Sequence, residues 1–179
     1  MSLKKFIVLD RDGTLIKYIP YLSRPELIEL MPNVREVLSY FKDRGFKLFL
    51  HTNQSGISRG YFKMRDVILC NDKLIELLDL GNDLFERICI APDLISRPDN
   101  YRKPSPLFAK ELIAEYEILN SDLVYIGDNS SDLQTAINIG CEGIGIYSDS
   151  FDLNEFISKK GNDKIFIYKT WLEIKDHFS

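Results

Sequence analysis

The chain has 179 residues, of which 45% are hydrophobic and 28% are charged, so its length suits one domain whose core needs no disulfide or metal. Its formal net charge of −4 argues against a general nucleic-acid binder. Cys70, Cys89 and Cys141 lie far apart, which indicates reduced thiols. The sequence has no apolar run long enough to cross a membrane and no secretory signal at its start. We therefore expect a cytoplasmic protein without a membrane partner.

The predicted elements alternate between strands and helices along the chain. Apolar runs predict strands at Phe6–Leu9, Phe46–Leu50, Phe85–Ala91, Leu123–Ile126, Gly143–Tyr147 and Ile165–Tyr168. Helical spacing predicts helices from Pro32 to Gly45, Tyr61 to Leu80, Leu107 to Tyr116, Ser130 to Gly140, Leu153 to Ser158 and Trp171 to Phe178. This alternation predicts an α/β fold over residues 1–179, with a doubly wound, mainly parallel sheet between two helical layers.

Two long irregular segments interrupt the alternation. Residues 15–30 contain Pro20 and Pro25 and show little periodicity, so we expect a flap that is too short for a separate cap domain. Residues 92–106 are rich in proline and charge and form a long loop. Because long loops in compact domains are often functional, we expect this one to shape specificity.

Polar residues follow several predicted strands at their carboxyl ends, where open α/β sheets bind ligands. The first strand ends in Asp10 and Asp12, and Gly13 then permits a sharp turn. Later strand ends and the long loop contribute Thr52, Asn53, Asp128, Asp132 and Lys103. An ordinary Asp-Gly turn would explain the first group alone, but it does not explain the convergence of all of them.

The clustered charges require a counterion. Each pair of carboxylates among Asp10, Asp12 and Asp128 costs roughly 4 kcal/mol at a separation of about 4 Å. Because the candidate ligands are all oxygens, they favour Mg²⁺ over zinc. The hydroxyl of Thr52 and the ammonium of Lys103 suit a phosphate group. An ionised carboxylate can then act as the nucleophile, and a second one can transfer protons.

The motifs resemble those of haloacid dehalogenase-like phosphatases. Asp10-Arg11-Asp12-Gly13-Thr14 resembles the first signature of that family, and Thr52, Lys103 and Gly127-Asp128 with Asp132 resemble the other three, in the same order. The resemblance covers residues from about 5 to 147. The surroundings of these motifs resemble the capless branch, which contains heptose-1,7-bisphosphate phosphatases and histidinol-phosphatases.

The resemblance implies a role for each matching residue. Asp10 would be the nucleophile that forms an aspartyl-phosphate, and Asp12 would be the general acid and base. Thr52 and Lys103 would bind the transferring phosphoryl group. The implied magnesium ligands are Asp10, Asp128 and the backbone carbonyl of Asp12. The implied substrate-binding residues are Asn53, Gln54, Ser55 and Arg102.

One departure from the resembling branch concerns zinc. Its members typically hold a structural zinc before an Arg-Lys-Pro segment, but only Cys89 has a zinc-ligand side chain in the corresponding part of this chain. One thiolate cannot make a tetrahedral site, so we expect no structural zinc and a differently ordered loop. The substrate is expected to be a small phosphomonoester such as a sugar phosphate.

Two alternatives remain beside this interpretation. A polynucleotide 3′-phosphatase shares similar motifs, although the acidic net charge disfavours it. A non-catalytic phosphate-binding protein would not need both Asp10 and Asp12. Among single residues, His51 fits either a packed core or a catalytic role, and Asp132 fits either support of the metal site or a helix N-terminus. The tyrosines that either line the site or cover apolar surface are Tyr18, Tyr21 and Tyr101.

Overall fold

The computed structural model describes residues 6–147, 156 and 163–179. Its strands are β1 (Phe6–Leu9), β2 (Lys47–Asn53), β3 (Phe85–Ala91), β4 (Leu123–Gly127), β5 (Glu142–Ile146) and β6 (Ile165–Tyr168). Its α-helices are α1 (Val34–Asp43), α2 (Met64–Leu78), α3 (Leu107–Tyr116), α4 (Ser130–Ile139) and α5 (Trp171–His177). Short 3₁₀ helices lie at Pro25–Leu27 and Asn120–Asp122. The strands form one sheet in the order β3-β2-β1-β4-β5-β6, and every neighbouring pair is parallel.

Helices cover both faces of the sheet. Along β1, Ile7 and Leu9 point into one hydrophobic core, and Val8 points into the other. The first core contains buried residues of α1, α2 and α5, and the second contains buried residues of α3 and α4. The predicted α/β fold with a doubly wound parallel sheet is therefore confirmed. Burial on both faces explains why β1 has a continuous apolar run.

Strand β1 lies at the centre of the sheet, between β2 and β4. Leu9 is aligned with Leu50 on one side and with Ile126 on the other. The backbone N–H of Asp10 donates to the carbonyl oxygen of Ile126 at 2.9 Å, which continues the ladder for one more residue. This register places the residues that follow β1 and β4 side by side.

Some element boundaries differ from those that the sequence predicted. Strand β2 continues to Asn53 because its polar last residues pair with β3 from Cys89 to Ala91. Helix α1 begins at Val34 because Asn33 adopts a left-handed conformation, with φ of 62°, which a helix cannot continue. The helix predicted near Leu153–Ser158 lies outside the described residues, except for Phe156.

The flap over residues 15–30 is anchored in the core and forms no separate cap domain in the part of the chain that is described. Ile16 bridges both Asp12 and Leu30, and Leu15 and Leu22 are buried in the first core. None of the described helices has the length and apolar character of a membrane span. All three cysteines are buried, and none forms a disulfide with another described residue.

Candidate active site

A polar cavity of about 410 Å³ opens at the carboxyl ends of the central strands. Asp10 and Asp12 reach it from the end of β1, and Asp128 reaches it from the end of β4. Lys103 reaches it from the loop over residues 92–106. The structure thus brings together residues that the sequence singled out at three separate places in the chain.

Lys103 is the central cation of this site. Its Nζ donates to Asp10 Oδ1 at 2.8 Å, to Asp132 Oδ1 at 2.6 Å and to the carbonyl oxygen of His51 at 2.7 Å. These three bonds match the three protons of an ammonium group. Burial alone would lower the pKa of Lys103, but the carboxylates of Asp10 and Asp132 raise it above its usual value. Lys103 therefore stays charged although it is almost fully buried.

The carboxylates of Asp10, Asp128 and Asp132 form a tight cluster in which one oxygen of each lies within 4.8 Å of the others. Burial, followed by repulsion from Asp10 and Asp132, raises the pKa of Asp128. Burial also raises the pKa of Asp132, although Lys103 opposes that shift. The cluster therefore contains more negative charge than Lys103 alone neutralises.

Two glycines permit this close approach. Gly13 has φ of +84°, and a Cβ there would overlap the carboxylate of Asp128. A Cβ on Gly127 would likewise overlap the side chain of Asp132. Asp132 also accepts from the backbone N–H of Asn129 at 3.1 Å and completes the capping box of α4. It serves the helix N-terminus and holds Lys103 at the same time.

Asp12 lies at the side of the cavity and is held by several donors. Gln54 Nε2 donates to its Oδ2 at 2.8 Å, and the fully buried hydroxyl of Thr52 reaches the same oxygen at 3.4 Å. Arg11 Nε contacts Oδ2 at 3.1 Å. Burial raises the pKa of Asp12, although the charge of Arg11 acts in the opposite direction. The side chain remains 17% exposed and faces the cavity.

The end of β2 fastens the backbone of the loop that carries Lys103. Asn53 Oδ1 accepts from the backbone N–H of Lys103 at 2.9 Å, and Asn53 Nδ2 donates to its carbonyl oxygen at 3.2 Å. His51 Nε2 donates to the carbonyl oxygen of Tyr101 at 2.7 Å, since a carbonyl can only accept. Burial lowers the pKa of His51 well below its usual value. His51 is thus a neutral, hydrogen-bonded core residue.

The outer part of the site is bounded by the long loop and the flap. Arg102 lines the main cavity, and its Nη1 donates to the carbonyl oxygen of Asp93 at 3.1 Å. Burial, and next the nearby charge of Arg59, lower the pKa of Arg102. A second cavity of about 220 Å³ adjoins the first at Asp12 and Asn53. This second cavity is also lined by Gln54, Ser55, Tyr18 and Tyr21. Tyr101 is partly buried and packs against the second hydrophobic core.

A family model described as haloacid dehalogenase-like hydrolase matches residues 8–146. This chain belongs to the haloacid dehalogenase-like hydrolase family. It is 34% identical over 140 residues to D-glycero-beta-D-manno-heptose-1,7-bisphosphate 7-phosphatase of Helicobacter pylori, with 77% of this chain and 80% of that relative covered. It is 32% identical over 157 residues to D-glycero-D-manno-heptose-1,7-bisphosphate 7-phosphatase of Chlorobaculum tepidum, with coverage of 80% and 79%.

Solved structures of haloacid dehalogenase-like proteins share the fold. D,D-heptose 1.7-bisphosphate phosphatase from B. bronchiseptica, complexed with magnesium and phosphate, aligns with a TM-score of 0.83 and 21% identity, over 97% of each chain. A HAD-like phosphatase from Mesorhizobium loti aligns with a TM-score of 0.76 and 24% identity, over 96% of this chain and 83% of that one. The predicted family and the predicted enzyme class, a phosphatase, are confirmed.

The donor set fits the magnesium ion that haloacid dehalogenase-like phosphatases use. The clustered side chains offer only carboxylate oxygens, which are the hard ligands that Mg²⁺ prefers. Both carboxylate oxygens of Asp132 are already engaged, Oδ1 by Lys103 and Oδ2 by the backbone N–H of Asn129, whereas Lys103 engages only Oδ1 of Asp10. Asp10 and Asp128 are therefore the carboxylates best placed to hold the ion. The shortage of positive charge among these residues fits the same conclusion.

The sequence analysis did not identify the buried residues that hold the side chains of Asp12 and Asp128 in place. Arg11 is fully buried beside Asp12, and its guanidinium also bonds to Asn71 on α2. Thr14 Oγ1 donates to Asp128 Oδ1 at 3.2 Å, and Trp171 Nε1 donates to the carbonyl oxygen of Thr14 at 2.9 Å. Arg11 and Thr14 stand inside the first motif, but nothing in the sequence indicates their partners.

Proposed function

We propose that this phosphatase removes a phosphate group from a small phosphorylated sugar of the heptose 1,7-bisphosphate kind, with Mg²⁺ as its cofactor. Its curated relatives carry that activity in their names, and the cavity beside Asp10 is polar and of metabolite size. The observation that carries the proposal is the position of Asp10. Its carboxylate lies on the cavity wall, 2.8 Å from the buried ammonium of Lys103 and within the acidic cluster.

The phosphate group of the substrate would bind between Lys103 and the start of α4. Lys103 supplies a fixed positive charge, and Asn129 and Ser131 line the cavity at the helix N-terminus. Backbone N–H groups at such a terminus favour an anion. Magnesium, held by Asp10 and Asp128, would neutralise the negative charges that must meet during phosphoryl transfer.

The chain's own residues can carry both halves of the reaction. A carboxylate oxygen of Asp10 attacks phosphorus, and the bond between phosphorus and the leaving oxygen breaks. Asp12 gives its proton to that oxygen, which leaves as an alcohol. Water then attacks phosphorus in the aspartyl-phosphate and gives a proton to Asp12, so that inorganic phosphate leaves and Asp10 is regenerated. The raised pKa of Asp12 suits a group that must carry a proton near neutral pH.

The remainder of the substrate would lie against Arg102 and the flap. Arg102 lines the main cavity next to the charge of Arg59, so this side of the site attracts a second anionic group. Tyr18 lies between the two cavities and offers a ring and a hydroxyl to a sugar. A bisphosphorylated sugar matches this arrangement better than a lipid phosphate does.

Phosphate release from a panel of substrates tests the proposal. The panel contains heptose 1,7-bisphosphate, the corresponding monophosphate, histidinol phosphate and a 3′-phosphorylated oligonucleotide, each assayed with Mg²⁺ and with EDTA. We expect Mg²⁺-dependent release with the highest kcat/KM on the bisphosphate, and none from Asp10→Asn. A preference for the oligonucleotide would replace this function with a polynucleotide 3′-phosphatase, and tight phosphate binding without turnover would replace it with a binding protein.

A further inference from the structure

Arg11 is a fully buried cation that the mechanism above does not use. Its guanidinium forks onto its sequence neighbour Asp12, with Nε 3.1 Å from Oδ2 and Nη2 3.2 Å from Oδ1. The third guanidinium nitrogen, Nη1, donates to Oδ1 of Asn71 on α2 at 2.9 Å. Burial of a charge is costly unless every donor is matched, and here both Asp12 and Asn71 provide acceptors.

The hydrogen bonds are unequally divided between the two oxygens of Asp12. Oδ2 receives bonds from Gln54 at 2.8 Å, Thr52 at 3.4 Å and Arg11 at 3.0 to 3.1 Å. Among the described residues, Oδ1 is reached by Arg11 alone, at 3.2 Å. Oδ2 is therefore the anchored oxygen, and Oδ1 is the one that remains able to carry a proton to and from the substrate.

We propose that Arg11, held in place by Asn71, is a positioning residue that fixes the side chain of Asp12 so that Oδ1 faces the leaving oxygen. This inference rests on the proposed function, in which Asp12 is the general acid. Proton transfer depends on hydrogen-bond distance and direction, and a shift of about 1 Å can cost roughly 100-fold in rate. Asn71 acts on Asp12 indirectly, because its hydrogen bond to Arg11 fixes the plane of the guanidinium.

The dependence of the rate on the leaving group distinguishes this role from simple structural support. A nitrophenolate leaves without a proton, whereas a sugar alkoxide requires one. In the step that forms the aspartyl-phosphate, which kcat/KM reports, only the sugar phosphate therefore depends on proton transfer from Oδ1. The ratio of kcat/KM for a sugar phosphate to kcat/KM for p-nitrophenyl phosphate is the same for any fraction of folded enzyme. A variant that merely folds poorly therefore leaves the ratio unchanged.

The test compares Asn71→Leu, which removes the acceptor for Arg11, with Asn71→Asp, which retains an acceptor oxygen. Arg11→Lys, which cannot form the fork, is the second disruptive variant. We expect Asn71→Leu and Arg11→Lys to lower the ratio by roughly 10- to 100-fold and Asn71→Asp to restore most of it. The matched control is Cys70→Ala, which alters the neighbouring buried position of α2 and should leave the ratio unchanged.

Two outcomes would overturn the inference, and they are distinguishable. If Asn71→Leu and Arg11→Lys both keep the wild-type ratio, Arg11 supports the fold and does not position Asp12, while the proposed function stands. If the wild-type protein hydrolyses neither substrate in the presence of Mg²⁺, the proposed function itself fails and this inference fails with it.

Discussion

Replacement of Lys103 by methionine removes the cation from the centre of the site while it retains most of the side-chain volume. The side chains of Lys103 and Asp132 are only 2% and 1% exposed, so the substitution leaves the buried carboxylate of Asp132 without its positively charged partner. Breaking a buried ion pair in this way costs about 3–5 kcal/mol of unfolding free energy. For a chain of this length, that corresponds to a fall in Tm of roughly 6–20 °C.

The matched control is Lys17→Met. Lys17 also pairs with a carboxylate, that of Glu29 at 2.5 Å, but the two side chains are 58% and 65% exposed. An exposed pair of this kind contributes about 0–1 kcal/mol, so the control should melt close to the wild-type protein. The comparison therefore separates the effect of burial from the effect of pairing.

The pH dependence of the stability that Lys103→Met loses gives a further check. Burial already raises the pKa of Asp132 and the ammonium of Lys103 opposes that shift, so without Lys103 the folded-state pKa of Asp132 would rise further above the unfolded value. A carboxyl group whose pKa is raised in the folded state destabilises the protein more as pH increases, so the loss should be larger at pH 7 than at pH 5. Thermal unfolding in EDTA at both pH values measures it. Equal and small losses for Lys103→Met and Lys17→Met would refute the reasoning.

Further predictions concern the substrate, the metal and the cysteine. Arg102→Ala should lower kcat/KM far more for the sugar bisphosphate than for p-nitrophenyl phosphate in parallel kinetics, and equal losses would mean that Arg102 serves the transferred phosphate or the fold. Burial and its acidic neighbours raise the pKa of Asp128, so at pH values below that pKa Mg²⁺ must displace a proton in order to bind. Titrations with Mg²⁺ should therefore show an affinity that increases about tenfold per pH unit below the pKa of Asp128. Binding that does not depend on pH would exclude Asp128 as a ligand. Because Cys89 is the one zinc-type ligand in the part of the sequence where members of the resembling branch typically bind zinc, elemental analysis should find no stoichiometric zinc, and one zinc per chain would contradict this.

The sequence was sufficient to predict the parallel sheet and the convergence of polar residues at the ends of its strands. Strand β1 is apolar because both of its faces are covered, and Asp10 follows it directly, so pattern and position agree. The end of β2 was predicted too early because His51 and Thr52 look like loop residues. Their polar atoms are satisfied inside the protein, and a one-dimensional pattern cannot reveal such long-range hydrogen bonds.

The supporting residues of the site were beyond sequence reasoning for a similar reason. The contact between Arg11 and Asn71 joins positions 60 residues apart, which come together because β1 and α2 contribute to the same hydrophobic core. Asn53 was expected to bind substrate, and the structure engages its amide with the backbone of Lys103. Asn53 also lines the cavity, so a role in substrate binding remains compatible with its position and stays a prediction.

The aspartyl-phosphate on Asp10 is the feature on which the proposed mechanism depends most directly. Wild-type enzyme turning over substrate with Mg²⁺ can be quenched and treated with borohydride, which reduces an acyl phosphate, and its peptides can then be examined by mass spectrometry. We expect the modification at Asp10 and nowhere else, and none without substrate. Modification of a different residue, or an unmodified Asp10 during sustained turnover, would contradict the mechanism.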